Sequence, residues 1–189
     1  MPPDSLTQPG FDPRRLLGSL VESRATVVVI GGIALVSQGI IHPTLDLDVC
    51  YEVSRENADR LVAGLRELHP RLRTEETDEG HLLARLFRFD ARTMRAGQNL
   101  TLLTDAGPLD LLAHVSGLGS YADVRPWADS VLLYGMPVAI LGLSGLRKAK
   151  QAAGREKDLR VLPEIDALIQ LQVLDTLPPA AEEHRPESG

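Results

Sequence analysis

Residues Thr26 to Glu52 read TVVVIGGIALVSQGIIHPTLDLDVCYE. Val27 to Ile30 is an unbroken β-branched run, the pattern of a buried strand. Gly31 and Gly32 follow at once, where a chain must turn and where backbone can approach a ligand closely. Ile33 to Gln38 is apolar enough for one or two helical turns, which Gly39 ends. Asp46 and Asp48 then interrupt Leu45, Leu47 and Val49 in a second predicted strand. Carboxylates at i and i+2 of a strand share a face, roughly 7 Å apart along the backbone. Such a face repels itself unless a positive charge sits on it.

Outward from this stretch, Asp12-Pro13 predicts a helix start, with Leu16, Leu17, Leu20 and Val21 as its apolar stripe. Ser54 caps a helix to about Leu68, which His69-Pro70 stops. Arg71 to Gly80 is polar and reads as an exposed loop. His81 to Asp90 fits a helix or a strand, and the alternation of Leu86-Phe87-Arg88-Phe89 favours strand. Ala91 to Gly97 reads as a connection. Two strands follow, Gln98 to Thr104 and Leu109 to Leu112, the second placing Asp110 among leucines. Tyr121 to Trp127 is short and helical or irregular. Ser130 to Tyr134 and Met136 to Leu141 form a hairpin about Gly135. A helix from Leu143 ends at Gly154, and a last helix, Glu156 to Val173, carries Pro163 as a kink or restart. The reading is an α/β (α+β) chain: a flexible N-terminus, 1–10; one domain, 11–174, with a C-terminal helical part, 143–174; and a disordered tail, 175–189.

Composition narrows the chemistry. The 189 residues carry a net charge of -6, so a generic nucleic-acid binder is excluded and any such contact needs a local patch. The single cysteine, Cys50, rules out an internal disulfide and a cysteine-rich zinc site, and reads as a buried thiol. No run approaches a membrane span and no signal peptide is visible, so the expected location is the cytoplasm, without a membrane partner. The five histidines show no H-E-x-x-H spacing.

Asp46, Asp48 and Asp110 each lie between apolar residues. Clustered carboxylates raise one another's pKa and cost stability unless a cation neutralises them. All-oxygen ligands suit Mg²⁺ or Mn²⁺, which take further ligands from water and substrate phosphates. Arg147 to Arg160 adds Arg147, Lys148, Lys150, Arg155, Lys157 and Arg160 against two acids. Gly154 breaks that run, placing Arg155 and Lys157 on a turn that can reach a phosphate.

Ile30-Gly31-Gly32, thirteen residues, Asp46-Leu47-Asp48, and a later Leu109-Asp110-Leu111 together resemble the nucleotidyltransferase fold of the DNA polymerase β superfamily. VVIGGIALVSQG, PTLDLDVCYE and LRKAKQAAGREKDL resemble minimal bacterial nucleotidyltransferases, including the AbiEii-like toxins of toxin–antitoxin pairs. The resemblance implies a mixed sheet with flanking helices and metal-dependent transfer of a nucleotidyl group from an NTP to a hydroxyl. Asp46, Asp48 and Asp110 would bind metal and form the catalytic set, with Asp110 also helping to deprotonate the acceptor. Gly31 and Gly32 would hold the triphosphate, Thr44 a phosphate or its own loop, and Lys150, Arg155 and Lys157 would complete the nucleotide site. The implied partners are an NTP, an RNA (tRNA), protein or small-molecule acceptor, and a cognate antitoxin. His42 stands where the family usually has an arginine, and Gln38 where it often has a histidine. The rival expectation is a member that keeps the fold as a binding scaffold without turnover.

Overall fold

The computed structural model describes residues 10–176; the expected loose N-terminus and the tail beyond Thr176 lie outside these, apart from Gly10. Helix α1 (Pro13–Glu22) starts as its sequence predicts: the Asp12 carboxylate accepts from the Arg15 N–H, and Leu16, Leu17 and Leu20 are buried. Strand β1 (Val27–Ile30) leads without a loop into α2 (Gly31–Ser37), so the glycine pair forms the first turn of the helix. Strand β2 (Leu47–Tyr51) carries Asp48; Asp46 lies just ahead of it. Helix α3 (Arg55–Leu65) is capped by Ser54 and tightens into a 3₁₀ turn through Leu68.

The next segment departs from expectation. Arg71 and Leu72 form a short edge strand, β3 (Arg71–Leu72), and residues 78–86 are helical, as α4 (Asp78–Leu86). The local reason is a cap. Thr77 Oγ1 accepts from the Gly80 N–H, Asp78 and Glu79 lie in the first turn and Arg85 in the last, all suited to the helix dipole. The alternation read as a strand belongs to Phe87 and Phe89 beyond the helix, which pack on the core. The expected connection at 91–97 contains helix α5 (Ala91–Arg95), capped by Asp90.

Strands β4 (Leu100–Thr104) and β5 (Gly107–Leu112) follow, then a two-stranded ladder, β6 (His114–Val115) and β7 (Gly119–Ser120), unseen in the sequence. Helix α6 (Tyr121–Val124) precedes the hairpin β8 (Ala128–Leu133) and β9 (Met136–Leu141). Helix α7 (Leu143–Ala153) ends at Gly154, whose φ of 65° is left-handed. Pro163 marks a restart: α8 (Glu156–Arg160) gives way to α9 (Leu162–Thr176).

Seven strands form one mixed sheet in the order β3-β4-β5-β2-β1-β9-β8. β2 runs parallel to β5, and β1 parallel to β9; the other pairs are antiparallel. Leu47, Val49 and Tyr51 alternate towards one face, where the Tyr51 hydroxyl donates to the Met94 and Gln98 carbonyls. Asp48 and Cys50 point to the other. The buried apolar side chains of sheet and helices form a single cluster. No helix among the described residues is long and apolar enough to cross a membrane.

Candidate active site

The sheet register brings the aspartates together. Asp48 of β2 is the direct partner of Asp110 on the parallel strand β5, and pairs with Ile30 at the end of β1. Partnered residues share a face, so both carboxylates project at the same level of the sheet. Asp46 joins them from the preceding loop, which Thr44 orders: its Oγ1 donates to the Asp46 carbonyl at 3.1 Å and lies 3.2 Å from the Asp46 carboxylate. One ligand oxygen from each of Asp46, Asp48 and Asp110 lies within 4.8 Å of the others.

The glycine pair answers a steric demand. A Cβ on Gly31 would lie 1.9 Å from Asp48 Oδ2, and one on Gly32 2.4 Å from Thr44 Oγ1. Gly31 also has a φ of +63°. The two glycines therefore let the carboxylate and the threonine press onto bare backbone, and the Gly32 N–H donates towards Asp48.

Three clustered acids half removed from water titrate abnormally. The Asp48 carboxyl is pushed up to about 6, first by burial, then by Asp46 and Asp110, with Lys150 and the Gly32 N–H pulling it back. Asp110 is also raised, by burial first, against the opposing pull of Arg73. Its Oδ1 is the single buried side-chain oxygen or nitrogen without a hydrogen bond among the described residues. An orphaned carboxylate oxygen beside two further carboxylates is the donor set that a hard divalent cation satisfies.

Opposite the acids lies a cationic clasp. Asp158, with no solvent exposure, accepts from Lys150 Nζ at 2.7 Å and from Arg155 Nε at 2.5 Å, so it ties α7 to α8 across the Gly154 turn. Burial alone would push its carboxyl up; the bonds from Arg155 and Lys150 outweigh that and hold it below the usual range. The Arg155 guanidinium is held above its ordinary value, first by Asp158 and further by the fields of Asp48 and Asp110. The remaining basic run is spent elsewhere: Arg147 pairs with Asp166, Arg160 with Glu156, and Lys148 sits over the Trp127 ring. Burial first, then the charges of Lys150 and Lys157, hold His42 below its ordinary pKa.

Between acids and clasp runs a cleft of about 350 Å³, walled by Ile30, Leu141 and Leu146 and reaching Asn99, His114 and Ser116 at its far end. Gly31, Asp48, Lys150 and Arg155 line it; Asp110 and Arg73 do not. The three aspartates, Gly31, Gly32, Thr44, Lys150 and Arg155 thus meet around one sheet end, whereas Arg147, Lys148 and Arg160 do not join them. Sequence reasoning passes over Asp158 as a site residue, Arg73 because it lies in an expected loop, and Asn99. The Lys150–x7–Asp158 spacing across a glycine is the available signal for the first.

No protein-family model and no curated protein sequence matches the chain. Among solved structures, ANT(2'')-Ia in complex with adenylyl-2''-tobramycin aligns over 86% of this chain and 90% of its own, with a TM-score of 0.53 at 13% identity. A Thermotoga maritima protein provisionally described as a nucleotidyltransferase aligns over 86% and 89%, with a TM-score of 0.48 at 16% identity. The mixed sheet, its flanking helices and the likeness to ANT(2'')-Ia identify the architecture of this chain as the nucleotidyltransferase fold.

Proposed function

We propose that the protein is a metal-dependent nucleotidyltransferase, moving an NMP group from an NTP to a hydroxyl acceptor. The observation that carries this reading is the convergence of Asp46, Asp48 and Asp110 on one point beside a clasped Lys150–Arg155 pair. Such a layout offers carboxylates for metal and cations for phosphate on two sides of one cleft. Mg²⁺ or Mn²⁺ held by the three aspartates would neutralise phosphoryl oxygens and make the acceptor hydroxyl more acidic.

In this reading the chain's own groups act as follows. Lys150 and Arg155 bind the triphosphate, and Lys157 meets its outer end. Gly31 offers its backbone to the triphosphate from the cleft wall, while Gly31 and Gly32 together seat Asp48 and Thr44. The acceptor oxygen loses its proton to Asp110 and bonds to the α-phosphorus. The bond from that phosphorus to the β-bridging oxygen breaks, and pyrophosphate leaves against Lys150 and Arg155.

Thermal melts with Mg²⁺ and each NTP test this: a nucleotide-dependent rise that Asp48→Asn removes is expected, and no rise with any NTP would sink the reading in favour of a scaffold. Labelled-NTP transfer onto RNA, protein and small molecules then chooses the acceptor. ANT(2'')-Ia, as its complex shows, handles a tobramycin adduct. The toxin role implied by the sequence resemblance predicts growth arrest on expression alone, relieved by an antitoxin; harmless expression of an active enzyme would dismiss it.

A further inference from the structure

The row of paired residues that carries the triad does not stop at Asp110. Asp110 pairs with Thr101 of β4, and the Arg73 N–H, just past the edge strand β3, donates to the Thr101 carbonyl at 2.9 Å. Asp48, Asp110, Thr101 and Arg73 therefore form one line across three strands and the residue that follows a fourth. The Arg73 guanidinium turns back along it, with Nη2 3.9 Å from Asp110 Oδ1. That separation is too long for a hydrogen bond, which is why Oδ1 stays orphaned. The Arg73 side chain is 46% exposed, and its one ion pair among the described residues is this loose one.

We propose that Arg73 is the anion-recognising residue of the acceptor subsite, and that the acceptor carries a phosphate or carboxylate near its reacting hydroxyl. This rests on the nucleotidyl-transfer reading. The triphosphate side of the site is set by Lys150 and Arg155, which line the cleft with Asp48. Asp110 stands beside Asp48 but is not among the residues lining that cleft, and on its β4 side it is approached by Arg73. In the metal-free protein Asp110 is the counter-charge of Arg73. Once Asp110 spends its charge on a cation, an exposed guanidinium is left facing that cation with no anion beside it. A negative group on the acceptor removes this repulsion and aligns the hydroxyl with Asp110; the planar fork of arginine fits either anion bidentately. A neutral polyol gains nothing there, and a polycation is repelled.

The test compares glycerol 3-phosphate, lactate, glycerol and tobramycin as acceptors for labelled NTP with the full chain. Transfer to one or both anionic compounds is expected, and which one distinguishes phosphate from carboxylate. Arg73→Gln should raise the acceptor KM by about tenfold or more, as loss of a charge-assisted hydrogen bond does, with the NTP KM unchanged and partial recovery in Arg73→Lys. Calorimetric binding of the preferred anion to protein loaded with Mg²⁺ and an α,β-methylene NTP should weaken in parallel, a readout free of turnover. Equal use of glycerol or tobramycin, or anion binding unchanged in Arg73→Gln, overturns the proposal while an intact NTP-dependent thermal shift leaves nucleotidyl transfer standing. Absence of that shift overturns both.

Discussion

Asp48 occupies the space that a side chain on Gly31 would need: a Cβ there would lie 1.9 Å from Asp48 Oδ2. Metal-ligand candidate and glycine are thus one steric unit, joined by backbone that no other residue type allows.

Gly31→Ala meets that contact and a φ of +63° at once. A loss on the order of 2 kcal/mol or more is expected, together with a displaced Asp48 carboxylate and weakened Mn²⁺ binding. Because the clash is with one side chain, the two sites should couple. In an Asp48→Gly background the cost of Gly31→Ala should fall towards the backbone strain alone. Additive losses in a double-mutant cycle of chemical denaturation would refute the coupling.

Asp48 links stability to pH. Its carboxyl sits at about 6 in the fold against an ordinary aspartate value of 3.8, so the native protein holds this proton more tightly than the unfolded chain. Stability contributed by the protonated form is complete below about 4 and is lost as pH rises towards 6. Two units correspond to an upper bound of about 3 kcal/mol. In EDTA, Asp48→Asn should therefore melt higher than the wild type at pH 7.5 and show a flatter profile between pH 4 and 6. A lower melting point at pH 7.5 would contradict the self-repulsion.

Asp158→Asn strips the counter-charge from two cations. Lys150 is largely covered whereas Arg155 is 62% exposed, so the stability loss should lie near about 2–3 kcal/mol rather than at the upper end for a buried pair. The more telling result is the nucleotide-dependent rise in melting temperature, which should shrink even at temperatures where the variant is fully folded. Retention of the full rise would mean that Lys150 and Arg155 need no anchor.

Cys50 should be silent in the native state. It is fully buried and burial pushes its thiol up to about 12, so almost no thiolate forms at neutral pH. A disulfide reagent should leave the folded protein unmodified and titrate one thiol per chain in denaturant.

Much of this architecture is written locally. Val27 to Ile30 reads as buried strand because β1 is flanked by β2 and β9 and covered on both faces. Asp12, Ser54 and Gly154 mark helix ends by cap chemistry that acts within one turn. The segment 71–97 misleads where two signals overlap. Leu82, Leu83 and Leu86 give α4 a stripe that remains exposed, while Phe87 and Phe89 supply the inward packing that resembles a strand. The triad is legible because carboxylates among leucines conflict with packing. Arg73 is not, since it is defined by the register of β3, β4 and β5, and the role of Asp158, though it lies in the quoted motif, is set by the approach of α8 to α7.

The pairing of β2 with β5 also bears on how the chain finds its fold. A slip by one residue would set Leu109 or Leu111 beside Asp48 and turn Asp110 towards the opposite, leucine-filled face. That arrangement would bury a carboxylate among hydrocarbon with no partner, which is far costlier than the self-repulsion of the native cluster. The aspartates that burden the finished sheet thus penalise its misaligned versions more heavily. A divalent cation, available only where three carboxylates converge, would reward the correct alignment and so act as a proofreader of strand register during folding.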